Sequence, residues 1–292
     1  MRLFATGGIL GATGAIAVSE PAWKAVNRAH WDELVALHLS PRGYDLTSLR
    51  ERRRRLNAIE EAELWPVDGQ YILHLQCHFG ADTLTLAQRG ATVVVMDFLP
   101  FAILAASRLA EELGLADRAR FVHADLYDAP AAIPEPAAFD TVFVTWGAIG
   151  WLPDIRRWAQ IVAHFLKPGG LLYLAEAHPA ALVFDDAASL PNGRPGFLAP
   201  YFSREPVVLD VTKDYVDETA TLRNATTYTW IHPLGDIISS LLAAGLTLDW
   251  FHEHDAVTWR MFKILTQDAE GLWRWPDRPW LPLAFSLRAA RS

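Results

Sequence analysis

Cysteine is almost missing. Cys77 is the single one in 292 residues, which excludes an intramolecular disulfide and a zinc site built on a cysteine cluster, and suits a reducing cytoplasm. Positive charge is also short. The 26 Lys and Arg against 34 Asp and Glu leave a net charge of −8, which argues against a nucleic-acid groove or an anionic membrane face as partner. No internal repeat is present, no short spacing such as H-x-x-x-H joins His123, His178, His232 and His254 into a metal site, and no G-x-G-x-x-G marks a nicotinamide dehydrogenase. The apolar stretch Leu3 to Val18 falls short of the ~20 residues a membrane span needs, lacks a leucine-rich core and leads straight into a polar helix. Residues 1–20 are therefore expected to be a loosely ordered extension of a soluble, cytoplasmic protein.

What is present is a globular chain, 51% hydrophobic and 21% charged, long enough for one large α/β domain with insertions. Tyr71 to Leu75 reads as a buried strand that stops at Gln76-Cys77-His78-Phe79-Gly80. Ala81 to Arg89 then has helical spacing, Gly90 ends it, and Ala91 to Met96 is a second strand closed by Asp97. Strand, glycine-bearing turn, helix, strand and acid form a βαβ unit able to bind a nucleotide. The turn brings ligand to a helix N-terminus, and the carboxylate can accept bonds from two ribose hydroxyls.

This segment resembles the first motifs of class I S-adenosylmethionine (SAM) dependent methyltransferases, whose turn runs roughly D-x-G-x-G-x-G. His74, Gln76, His78 and Gly80 occupy those positions here, so only the last glycine remains. The likeness continues through Asp82-Thr83-Leu84, Val95-Met96-Asp97-Phe98 and the turn Leu166-Lys167-Pro168-Gly169-Gly170. It implies a Rossmann-like, doubly wound, mostly parallel seven-stranded sheet with an antiparallel C-terminal strand. An N-terminal helical cap (21–66) would precede a SAM-binding domain (67–292), with an insertion after the fifth strand (180–230). On the same likeness the cofactor site comprises the His74, Gln76, Cys77, His78, Phe79 and Gly80 turn, Asp97 for the ribose, Phe98 and Leu126 against adenine, Asp125 for its amine, and Thr145 and Trp146.

Along the chain, Pro21 to His38 has helical spacing, and a second helix is expected from Leu46 to Leu64 with the basic run Arg50 to Arg55. That run is either an anion clamp or a solvated face, with Glu60, Glu61 and Glu63 beside it. Trp31, His38 and Tyr44 are candidates for a lid or for core. Asp125 either meets the ligand or caps the following turn. Phe139 to Val144 reads as the fourth strand. Beyond it Trp146, Ile149 and Trp151 would wall the cleft, where Gly147 and Gly150 admit close approach. The insertion is expected to carry strands near 207–215 and 220–230, and Leu246 to His254 with Leu283 to Arg288 a final antiparallel pair.

The acceptor side is less defined. His178, Glu176 and His232 are the candidates to assist deprotonation, since a histidine titrates near ~6.5. Trp31, Tyr44, Ile149, Trp151, Tyr201, Trp230 and His254 are the candidates to contact substrate. Cys77 suits packing beneath the cofactor better than nucleophilic work. The expected activity is methyl transfer from SAM to a small-molecule acceptor through N, O or C, by a monomer or homodimer that binds neither nucleic acid nor membrane. The alternative is a SAM-binding protein of the same fold with another or a sensing role.

Overall fold

In the computed structural model, residues 21–217 and 219–292 are described; the extension expected at 1–20 lies outside them. The chain begins with α1 (Ala22–His38), α2 (Leu46–Arg50) and α3 (Ala58–Glu63). The alternating unit follows as β1 (Tyr71–Leu75), α4 (Ala81–Gln88), β2 (Thr92–Asp97), α5 (Pro100–Glu112), β3 (Ala119–His123), α6 (Ala129–Ala132), β4 (Phe139–Thr145), α7 (Ile155–Phe165) and β5 (Leu166–Ala177). Short pairs come next: β6 (Phe184–Asp185) with β7 (Gly196–Phe197), and β8 (Val207–Asp210) with β9 (Thr226–Thr229). The chain closes with α8 (Leu234–Ala243), β10 (Leu246–His254), the small strands β11 (Ala256–Val257), β12 (Thr266–Gln267) and β13 (Trp273–Arg274), and β14 (Ala284–Arg291).

Seven strands form one sheet in the order β10-β14-β5-β4-β1-β2-β3, and β14 runs antiparallel to both neighbours. This is the expected Rossmann-like α/β architecture. Its strands are apolar on both faces, as a helix-covered parallel sheet requires. Leu73, Val94, Met96, Val142 and Val144 join the core beneath α7 and α8, while Ile72, Val93, Val95 and Phe143 join the opposite core beneath α4 and α5. Period-two alternation thus sends successive residues to different cores. β1 pairs with both β2 and β4, so chain order reverses there, and crevices at such reversals bind ligands beyond the strands' carboxyl ends.

Two expectations are corrected. The helix expected over 46–64 is two short helices, because Arg52 turns left-handed (φ +57°) and the Arg53 and Arg54 amides bond back to Ser48 O. The basic run is surface ion pairing: Arg50 with Glu112, Arg53 with Glu51, Arg54 with Asp82 and Arg55 with Glu61. The strands of the insertion are also shorter than expected. An isolated bridge between Lys213 and Thr221 extends the β8–β9 hairpin. Among the described residues, no helix is long and apolar enough to cross a membrane.

Candidate functional site

The turn after β1 keeps the path of a glycine-rich loop with few glycines. Gln76 and His78 adopt φ of +59° and +54°, and Gly80 has +79°. A left-handed residue with a Cβ costs about 1–2 kcal/mol, so strain is concentrated where the backbone would pass a ligand. Gly80 has a second reason to be glycine: a Cβ there would lie 3.2 Å from the Ala106 Cβ. Two bonds hold the turn in place. Gln76 Nε2 donates to Ala148 O (2.8 Å), and the His78 amide donates to Asp97 Oδ2 (2.8 Å). Behind it, His74 Nδ1 shares a 2.6 Å hydrogen bond with Thr83 Oγ1, and burial lowers its pKa to about 4, so the ring is neutral. Burial likewise pushes the Cys77 thiol up, leaving it an inert packing group.

A cavity of about 480 Å³, including its mouth, opens at the carboxyl ends of β1 and β2, lined by Gln76, Asp97, Phe98, Asp125, Leu126 and Trp31 among others. Asp97 is buried, and burial raises its pKa to about 7 against the His78 and Leu99 amide bonds that hold it down. Asp125 plays both of its expected parts. Its Oδ1 caps the following turn through the Tyr127 amide (2.7 Å) while it lines the cavity, and its Oδ2 meets Lys24 Nζ at 2.5 Å. Gln76 Oε1 is buried without a partner. An acid pair, an aromatic wall and an orphaned acceptor fit the ribose, adenine and ammonium of SAM.

Helix α1 roofs this cavity with Trp23, Asn27 and Trp31, spaced four apart and so on one face. It is fastened to the insertion. Asn27 Nδ2 donates to Tyr228 O and its Oδ1 accepts from Tyr228 N, both at 2.8 Å. Glu33 accepts from the Arg223 and Asn224 amides at 2.9 Å each. His38 Nε2 donates to Asp214 Oδ1 at 2.9 Å, with both side chains fully buried.

A second, larger cavity of about 1040 Å³ including its mouth lies beyond β4 and β5 and shares Trp151 with the first. Its lining is mostly apolar: Ile149, Trp151, Leu182, Phe184, Leu209 and Trp230 are representative, and Glu176 and His232 are among its few polar members. Glu176 is spoken for. It accepts from the amides of Gly147, Ala148 and Ala177 at 2.7 Å each and of Ile149 at 3.3 Å. Burial raises its pKa while these amides pull the other way. It therefore organises the loop after β4 rather than offering a free base. His232 Nε2 donates to Leu152 O (2.8 Å), which fixes the tautomer that leaves Nδ1 basic. Burial lowers its pKa, so the ring is neutral.

The remaining expected residues are placed elsewhere. His178 lines neither cavity: its Nε2 meets Glu253 Oε1 at 3.0 Å and its Nδ1 accepts from the Ala180 amide at 3.1 Å. Tyr201 Oη caps the Leu234 amide at the start of α8, and His254 Nε2 bonds Ser286 Oγ across β10 and β14. Tyr44 Oη bonds Tyr215 Oη, and its ring packs on Phe79. His78 fills the space among Trp31, His38 and Phe79, so the turn side chains His74, Cys77, His78 and Phe79 support the first cavity from behind. Trp146 Nε1 donates to Glu60 Oε1 (2.6 Å), and Thr145 is buried at the end of β4. Trp23, Lys24 and Asn27 were not foreseen as ligand-facing, although their spacing beside Trp31 was the available signal. Leu182, Leu209, Trp259 and Met261 of the larger cavity carry no local pattern that would have found them.

Residues 72–170 match the family profile described as the methyltransferase domain. The chain is 30% identical over 142 residues to demethylmenaquinone methyltransferase of Clavibacter sepedonicus, covering 45% of this chain and 55% of that protein. It is 24% identical over 136 residues to tRNA 5-carboxymethoxyuridine methyltransferase of Escherichia coli K12, covering 44% and 51%. The chain thus spans about half the length of the curated relatives it matches. Among solved structures, a SAM-dependent methyltransferase from Mesorhizobium loti superposes with a TM-score of 0.54 at 19% identity, over 80% of this chain and 96% of that one. Motif order, sheet order and profile agree: the chain has a Rossmann-like α/β fold, and residues 72–170 within it match the methyltransferase-domain profile.

Proposed function

We propose that the protein transfers a methyl group from SAM to a small, uncharged, largely apolar acceptor. The observation that carries this reading is the pairing of cavities across Trp151. One is lined by the nucleotide-type residues Asp97, Phe98 and Asp125, the other by apolar side chains with His232 among them. When bound, SAM supplies an activated methyl group on its sulfonium. Asp97 and Asp125 would hold the ribose and adenine, and Gln76 Oε1 would accept from the ammonium. His232 Nδ1 would take the acceptor's proton, and the Leu152 carbonyl on Nε2 would stabilise the charged ring. Most of the rate would come from holding donor and acceptor in line in a dry cavity.

The net charge of −8 and the apolar lining support a small molecule over the tRNA on which one relative acts. A neutral acceptor suits a cavity whose buried carboxylate, Glu176, is already saturated by amides. Calorimetric titration with SAM, S-adenosylhomocysteine and NAD tests the cofactor half. The expected outcome is micromolar binding of the first two and none of NAD. Because Asp97 titrates near 7 and its carboxylate is the stronger acceptor, S-adenosylhomocysteine affinity should rise as pH goes from 6 to 8, by up to about tenfold per unit below the pKa. Asp97→Asn should bind at least about tenfold more weakly and lose the pH slope. Folded protein that binds neither adenosyl ligand would overturn the reading.

A further inference from the structure

The apolar lining of the larger cavity does not end at its mouth. Leu198 lines the cavity and is 38% exposed, and Phe197 beside it is 79% exposed while stacking on Phe184, another lining residue, with centroids 4.8 Å apart. A phenylalanine that open is not core, yet it continues an apolar wall outward. Val207 and Leu209 of β8, two apart and so on one face, add to the apolar lining.

The polar groups of the lining are few and mostly committed: Asp185 Oδ1 accepts from the Ala187 amide and Thr229 Oγ1 reaches Val207 O. Glu176 is saturated by four amides, and His232 Nε2 is bonded to Leu152 O. A polar substituent placed along the apolar stretch would be buried without a partner and would weaken binding. We propose that the acceptor is amphiphilic: a compact reactive head seated by His232 and Trp151, and a hydrocarbon tail that runs past Leu182 and Phe184 and leaves over Leu198 and Phe197. This rests on the methyl-transfer reading above and adds the class of molecule.

The test uses the full chain saturated with S-adenosylhomocysteine and a series of 4-alkylphenols from ethyl to octyl, with binding followed by quenching of tryptophan fluorescence. Affinity should rise about two- to fourfold per methylene. In Leu198→Glu and Leu209→Glu, both at partly exposed positions, the slope should flatten while S-adenosylhomocysteine affinity stays as in the parent. A flat chain-length series in protein that binds S-adenosylhomocysteine normally would overturn the amphiphile inference alone. An intact slope that both glutamate variants leave untouched would also overturn it, since the tail would then lie elsewhere. A steep slope, abolished by the variants, in protein that fails to bind S-adenosylhomocysteine would uphold the amphiphile site and overturn methyl transfer.

Discussion

At Gln76 a side chain stands where the backbone asks for none. Its φ of +59° is one that glycine adopts freely, and its carboxamide bonds Ala148 O across to the loop after β4. The strain of a Cβ in this region, about 1–2 kcal/mol, is offset by a buried bond of about 1 kcal/mol, so the parent turn is close to balance. Gln76→Ala keeps the strain and loses the bond, whereas Gln76→Gly loses both. The glycine variant should therefore be more stable than the alanine variant by about 1 kcal/mol in urea unfolding, and equal stability would show that the turn is not strained. The sequence displayed the departure from D-x-G-x-G-x-G but not its remedy, because the partner, Ala148, lies 72 positions away. Asp97 was legible for the opposite reason. An acid closing the second strand of a βαβ unit is a local pattern, and the fold brings it to the ligand crevice without help from distant residues. His178 sits at the end of a strand as well, yet the β10 residue Glu253 and the Ala180 amide claim its ring. Nothing near it in the chain forecasts that.

Elements set by local periodicity were legible to within a few residues, among them β1, α4, β2, β4 and β10. Those set by contacts were not. The helix expected over 46–64 breaks where Glu61 Oε1 accepts the Leu56 amide at 2.7 Å, a bond no helical spacing encodes. The largest gap is the clasp between α1 and the β8–β9 hairpin, whose partners are separated by 176 to 201 positions. That clasp gives the hairpin its stability, since an isolated two-stranded ribbon is marginal in water. Asn27 satisfies the exposed edge of β9, and the buried His38–Asp214 pair pins the hairpin tip. Burial favours the neutral acid, but the bond from His38 and the Val216 and Asp217 amides outweigh it and lower the Asp214 pKa. Asp214→Ala should cost about 2–3 kcal/mol, because it leaves the buried His38 ring and the Val216 and Asp217 amides without their acceptor. Hydrogen exchange should quicken across 221–230 far more than in β4, and S-adenosylhomocysteine should bind more weakly as the Asn27–Trp31 roof loosens. Unchanged exchange there would mean that the pair does not hold the hairpin.

Across the whole molecule, buried titratable groups oppose one another in pH. Burial lowers the pKa of His30, His74, His78, His178, His232 and His254, with His74 reaching about 4 and His78 about 3. Their contribution to stability is complete above the unfolded value of ~6.5 and is lost as pH falls through the folded values. Asp97 and Glu60 are raised, to about 7 and about 8. Their contribution is complete below ~4 and is lost as pH rises through 7 and then 8. Burial raises Asp32 and Glu176 as well, but the six histidines outnumber the four raised acids, so stability should climb from pH 5 to near neutrality and decline beyond it. Glu60 isolates the alkaline side. Burial is the main cause of its shift, and the nearby Asp82 carboxylate adds to it. Its Oε1 accepts from Trp146 Nε1 and Asn57 Nδ2, while Oε2 is buried without a partner. Glutamine in its place keeps the accepting oxygen and removes the charge. Glu60→Gln should exceed the parent already at pH 6, where the unfolded Glu60 is ionised and the folded one is not, and its advantage should grow by roughly 2 kcal/mol or more by pH 9. Urea unfolding at the two pH values decides it. A constant difference between the two proteins across that range would mean that Glu60 is ionised in the fold at pH 6, and that Trp146 is held by a carboxylate.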